Sequence, residues 1–131
     1  FTGCELGWKK AFEASGAKLD DLSCVETHDC FTVAELIEYE AMGLAPRGQA
    51  GKIVAEGVTE MGGKLPVNAS GGLKAKGHPI GATGLSMHII QSMQLTNTAG
   101  DLQVPDAKLA GIFNMGGAAV ANYVSILERL R

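Results

Sequence analysis

The sequence predicts an α/β layered fold, and three observations carry the prediction. Helical and strand-like segments succeed one another in the order helix, strand, helix, loop excursion, helix, and two final strands. The last two apolar runs, Leu109 to Met115 and Ala119 to Leu127, are of β type and meet at Gly116-Gly117, the signature of adjacent antiparallel strands. At 131 residues and 46% hydrophobic, the chain can build one domain with a real core.

Each element has a local reason. Leu6 to Ala14 places Leu6, Trp8, Ala11 and Phe12 at spacings that suit an amphipathic helix, and Ser15-Gly16 supplies its stop. After Asp20-Asp21, Leu22 to Glu26 is a short strand, followed by His28-Asp29-Cys30-Phe31. Thr32 to Met42 then reads as a helix with Val33, Leu36, Ile37 and Tyr39 inward. Gly43 to Gly63, rich in glycine and charge, is a loop excursion with one short helix near Lys52 to Glu56.

Pro66 to Ser70 is an extended piece that leads through residues 71–76 to Gly77-His78-Pro79-Ile80-Gly81-Ala82-Thr83-Gly84. Pro79 suits a first helical turn, since its missing N–H has no partner there and its φ is preset. The helix continues from Ser86 to about Leu95, and Asn97 to Asp106 is a polar connection broken by Gly100 and Pro105. No internal repeat or low-complexity tract is present.

Composition narrows the function classes. The net charge is −3 and basic residues are scattered, which argues against a nucleic-acid partner. Cys4, Cys24 and Cys30 match neither zinc-ligand spacings nor a secreted disulfide framework, so they read as free thiols and no metal is expected. No apolar stretch approaches the roughly 20 residues that span a bilayer. There is no signal-peptide layout and no peroxisomal address of Ser-Lys-Leu type, which points to a cytoplasmic, bacterial-type location, or a peroxisomal one only if a signal lies elsewhere in a parent protein. The chain opens without methionine shortly before a helical pattern and reads as a fragment.

Three polar clusters fall at element junctions: His28-Asp29-Cys30-Phe31, Gly77-His78-Pro79 and Asn114-Met115-Gly116-Gly117. In open α/β sheets, sites gather at the carboxyl ends of strands. His78 sits among glycines that admit close approach. The positive end of the following helix would keep its imidazole neutral and able to accept a proton, as a general base must. Taken singly, His28 is a turn residue or helix cap. Cys30 is a small core hydrophobe or, in a first helical turn near an imidazole, a thiol with a favoured thiolate. Gly116 belongs to a tight connection, or else presents a backbone N–H to a developing oxyanion where a side chain would crowd the substrate. His88 has a packing or surface role. The glycine-rich segment fits neither the phosphate loop nor the dinucleotide fingerprint.

Together, His-Asp-Cys-Phe, Gly-His-Pro-Ile-Gly-Ala-Thr-Gly and the terminal glycine turn resemble the C-terminal half of a thiolase, and most closely the sterol-carrier-protein type. The resemblance runs from about Leu6 onward. It implies a reaction in which a cysteine attacks a 3-oxoacyl-CoA, the carbon–carbon bond breaks to release acetyl-CoA or propionyl-CoA, and a second CoA thiol collects the acyl group. His78 would activate the nucleophile and share an oxyanion hole, His28 would complete the enolate site, and Gly116 would supply a second oxyanion N–H. Other thiolases carry an acid/base Cys-x-Gly where this chain has Asn114-Met115-Gly116, which would move that task to Cys30. Ser70 and Lys74 are candidates for CoA contact.

The resemblance further implies coenzyme A as a substrate with no covalently bound cofactor, and a homodimer or tetramer of the intact protein. A small acyl-CoA-binding partner protein is a further candidate partner. Residues 1–131 would be a partial C-terminal domain, with the N-terminal domain, its nucleophilic cysteine and the CoA-binding loop outside this segment, leaving the segment inactive by itself. The related sheet has five strands in the order 3-2-1-4-5. Strands three, four and five would be present here, which leaves an open gap between the first strand and the final pair. Two other readings accompany this one: a retro-aldolase acting on CoA esters of steroid side chains, and a non-catalytic subunit paired with the acyl-CoA-binding partner.

Overall fold

A computed structural model describes residues 1–130. The elements are α1 (Thr2–Ser15), β1 (Cys24–Glu26), α2 (Thr32–Ala41), α3 (Ala50–Ala55), α4 (Gly72–Lys76), α5 (Thr83–Leu95), β2 (Leu109–Gly116) and β3 (Ala121–Glu128). Single 3₁₀ turns lie at Leu19–Asp21 and Gly100–Leu102.

The three strands form one sheet in the order β1-β2-β3, with β1 parallel to β2 and β2 antiparallel to β3. The expected gap is therefore closed: Cys24, Val25 and Glu26 pair directly with Ala110, Gly111 and Ile112. The far side of β1 is also occupied. Val25 N–H donates to Pro66 at 3.0 Å, and Asn68 N–H donates to the Val25 carbonyl at 2.8 Å. The extended piece near Val67 thus extends the sheet by a single bridge, which explains why a three-residue strand is wholly buried.

Period-two alternation divides the core. Val25, Phe113 and Met115 pack with Trp8 of α1 and Tyr39 of α2 on one face. Ala110 with Cys24 and Leu95, and Ile112 with Met87 and Leu73, fill the other face. Trp8 stacks on Phe12 and Phe113 with ring centroids 5.4 and 6.3 Å apart. Gly111 makes room for it, because a Cβ there would lie 3.0 Å from the indole edge and from Leu22.

Several element boundaries differ from expectation, each for a physical reason. α1 begins a turn earlier, at Thr2, and ends as foreseen on a left-handed Gly16 whose N–H returns to the Phe12 carbonyl. α2 buries Ala34, Glu38, Tyr39 and Ala41 and leaves Val33 exposed, so the inward face contains a carboxyl group that an apolar pattern passes over. α5 starts at Thr83, not at Pro79, since Gly81 at φ 89° breaks the right-handed path and residues 79–82 form a turn closed onto the Pro79 carbonyl. β3 starts two residues late because Gly117, Ala118 and Ala119 all have positive φ. α4 was not foreseen.

Candidate active site

The carboxyl ends of β1 and β2 and the amino end of α5 converge on a cleft of about 420 Å³ lined by His28, His78, Thr83, Gly84, Asn114 and Gly116, with Ile80 and Tyr123 at the rim. The sequence-predicted His28, His78 and Gly116 are brought together here. His28 follows β1 and is buried, whereas His78 is exposed in the segment between α4 and α5. Their rings meet edge to face, with centroids 4.8 Å apart and planes at 86°.

Each imidazole is oriented through Nδ1. The His28 Nδ1–H donates to Asn114 Oδ1 at 2.6 Å. A carbonyl oxygen can only accept, so the proton sits on Nδ1 and Nε2 is left with a free lone pair. His78 Nδ1 lies 2.7 Å from the Thr83 hydroxyl, which donates to the Pro79 carbonyl at 3.1 Å. With its single proton committed to that carbonyl, Thr83 accepts the His78 Nδ1–H, again leaving Nε2 as the basic nitrogen.

Burial holds the His28 pKa below its ordinary value, and the neighbouring His78 acts in the same direction; the Asn114 hydrogen bond and the Asp29 charge oppose them without prevailing. The helix-end argument for His78 finds no helix, since residues 79–82 separate it from α5.

Gly116 closes β2 at the cleft wall. A Cβ there would have Ala121 as its nearest neighbour at 4.0 Å, so the protein's own packing does not require glycine and the space is open to a ligand. The adjoining turn holds Ala118 and Ala119 in the left-handed region, a conformation costing roughly 1–2 kcal/mol per residue. It is tied down by Asn122, whose amide donates to the Ala119 carbonyl at 2.8 Å and whose oxygen accepts from the buried Cys4 thiol at 3.3 Å. Local strain beside a cleft is a usual mark of a functional site.

Cys30 is not among the residues lining the cleft. Burial pushes its thiol pKa up, helped by Glu38, which is opposite to the favoured thiolate that helix-end placement suggested. It precedes α2, outside the first turn, and packs against the core. Ser70 and Lys74 are also away from the cleft. The Ser70 hydroxyl donates to Glu26 at 2.8 Å, and Lys74 is paired with Glu35, so both serve buried or half-buried carboxylates. His88 donates from Nδ1 to the Gly84 carbonyl at 2.7 Å and has Ser125 Oγ 3.0 Å from Nε2, which ties α5 to β3 as its packing role foresaw.

Two participants were missed: Asn114 as the partner of His28, and Thr83 as the partner of His78. Both belong to motifs already visible in the sequence; the signal was a side chain able to accept from an imidazole N–H.

A family model described as thiolase C-terminal domain-like matches residues 1–129. Sterol carrier protein 2 of Bos taurus is 49% identical over 113 residues, covering 86% of this chain and 21% of its own length. The acetyl-CoA acetyltransferase of Methanothermobacter thermautotrophicus is 37% identical over 121 residues, covering 92% of this chain and 32% of its own. Among solved structures, the Ltp2-ChsH2(DUF35) aldolase superposes with a TM-score of 0.83 over 96% of this chain and 31% of that one, at 24% identity, a likeness of fold. The chain thus spans about a fifth of the length of the first curated relatives it matches.

Proposed function

The chain belongs to the thiolase C-terminal domain-like family, and we propose that it supplies the base and oxyanion-binding part of a thiolase-like acyltransferase that cleaves or forms the carbon–carbon bond of a 3-oxoacyl-CoA. The observation that carries this reading is the pair of imidazoles in one cleft, each tethered through Nδ1 and each offering a bare Nε2. In thiolysis, His78 Nε2 takes the proton of a cysteine thiol supplied by another part of the protein. The thiolate adds to the 3-oxo carbon, and the carbon–carbon bond breaks to leave an enolate of the departing acyl-CoA. That enolate needs hydrogen-bond donors and then a proton. His28 completes the enolate site through a water, which donates one hydrogen to the bare Nε2 and the other to the enolate oxygen, and the Gly116 N–H serves the second oxyanion. Cys30 keeps its proton at neutral pH, in keeping with a donor's role, and the reading does not depend on it. The nucleophilic cysteine is left carrying the acyl group as a thioester, and coenzyme A, entering as substrate, attacks it through its thiol, leaves as the acyl-CoA and returns the cysteine to its thiol form.

His78→Ala in the intact protein lowers kcat/KM for thiolysis by about a hundredfold or more, the usual consequence of losing acid/base help. Undiminished turnover would remove His78 from the mechanism. A retro-aldol cleavage of a CoA ester is the second reading, favoured by one observation: Cys30, the residue to which the thiolase resemblance assigns the acid/base task, packs against the core and is not in the cleft lining. That reaction needs a base and a proton donor and no covalent thioester. Incubation of the intact protein with an acyl-CoA separates the two, since an acyl-enzyme adduct in the intact mass belongs to the thiolase route alone.

A further inference from the structure

His78 stands just past Gly77, the residue that closes α4, so its backbone goes where α4 goes. A helix of five residues cannot hold its own place, and α4 has no capping side chain at its N-cap. What holds it comes from the other histidine's loop. Asp29 is 1% exposed, does not line the cleft, and turns its carboxylate onto the first turn of α4. Oδ1 accepts the Leu73 N–H at 2.7 Å, Oδ2 accepts the Lys74 N–H at 3.4 Å, and the Lys74 ammonium lies 3.7 Å from Oδ2.

The contact is close enough to dictate the sequence opposite. A Cβ on Gly72 would fall 2.1 Å from Asp29 Oδ2, so only glycine admits the carboxylate. The other end of α4 is fastened in the same manner: Lys76 Nζ reaches the buried Glu26 at 2.7 Å, and Ser70 shares that carboxylate. Glu26 and Asp29 flank Thr27-His28, and between them they grip both ends of the helix that delivers His78. Such burial of two carboxylates is tolerable only because each is answered by N–H groups and an ammonium.

We propose that Asp29 is a positioning residue: its carboxylate fastens the helix that carries His78 to the loop that carries His28, and thereby sets the edge-to-face meeting of the two imidazoles. This rests on the reading of His78 as the base. The conservative change Asp29→Asn keeps the shape and one acceptor but turns an amide N–H₂ toward a backbone N–H, so α4 loses one tie and the Lys74 ammonium one of its two counter-charges, Glu35 being the other.

The test is a cycle of variants in the intact protein, with thiolysis as the activity. Asp29→Asn lowers kcat by about tenfold with KM little changed, since a shift of about 1 Å in a catalytic group is enough for such a loss. In a His78→Ala background the same change costs less than about twofold, because there is no base left to misplace. A purely structural loss would lower both backgrounds alike, and that result, or an unchanged kcat, overturns the proposal. If His78→Ala is itself without effect, the functional reading falls first, and the two failures are told apart. A readout independent of turnover accompanies the kinetics: the cross-ring NOE between His28 and His78, present in the parent, is lost or weakened in Asp29→Asn. Its full retention counts against the inference.

Discussion

At the scale of the residue, the site is a matter of where two protons sit. Asn114 fixes the His28 proton on Nδ1, and desolvation keeps the ring from taking a second one at neutral pH. The sign follows directly. A group whose folded pKa lies below its ordinary 6.5 binds fewer protons folded than unfolded, so its contribution to stability is complete above 6.5 and is lost as pH falls below it. We expect the ¹⁵N ring signals of His28 to report an Nδ1–H tautomer with a titration midpoint below 6.5, and Asn114→Leu to lower the midpoint further by removing the bond that favours the charged ring. A midpoint at or above 6.5, or a proton on Nε2, would sink the assignment of Nε2 as the open nitrogen.

At the scale of the element, Gly84 shows how a helix start can be shaped for its neighbour. It is a helical residue of α5, where alanine would ordinarily gain about 1 kcal/mol in propensity. A Cβ there would stand 2.9 Å from the Asn114 amide nitrogen, and forcing the side chain aside costs typically 1–3 kcal/mol. Gly84→Ala is therefore expected to leave the thermal midpoint changed by only a few degrees while thiolysis by the intact protein falls about tenfold, because the His28 tether moves; unaltered kinetics would show that Asn114 can shift freely. The same contrast explains what the sequence did and did not disclose. Periodicity and the glycine turn announced the terminal hairpin and α1, since those signals are local. α4 was invisible because its N-terminus is capped by Asp29, 44 residues earlier, and no window on the chain joins the two. On the inward face of α2, Leu36 and Tyr39 were legible, Val33 is exposed instead, and Glu38 escapes an apolar pattern; of the two readings of Cys30, the small core residue agrees with its packing and its raised pKa, and the favoured thiolate does not. His28, His78 and Gly116 were legible as motifs, whereas their orienting partners, Asn114 and Thr83, required the fold.

At the scale of the whole molecule, packing α2 on the sheet brings one carboxyl group into the core with too few partners. Glu38 on α2 is fully buried; Thr27 donates to Oε2, and Oε1 has no hydrogen-bond partner. Burial pushes its pKa up to about 8, the Thr27 hydrogen bond opposes this, and the charges of Glu35 and Asp29 add to the rise. Here the folded value lies above the ordinary 4.5, so the folded state binds the extra proton and stability declines as pH climbs from 4.5 through about 8. Between 4.5 and 6.5 this slope runs against that of His28; above 6.5 it acts without that opposition. Glu38→Gln keeps the volume and removes the titration. Its thermal midpoint should lie close to that of the parent at pH 5 and exceed it at pH 9, by as much as roughly 4 kcal/mol, or on the order of 10 °C. Melting curves from pH 5 to 9 for both proteins decide it: parallel profiles would mean that Glu38 is solvated in its charged form, and that this part of the core opens to water before the carboxyl ionises.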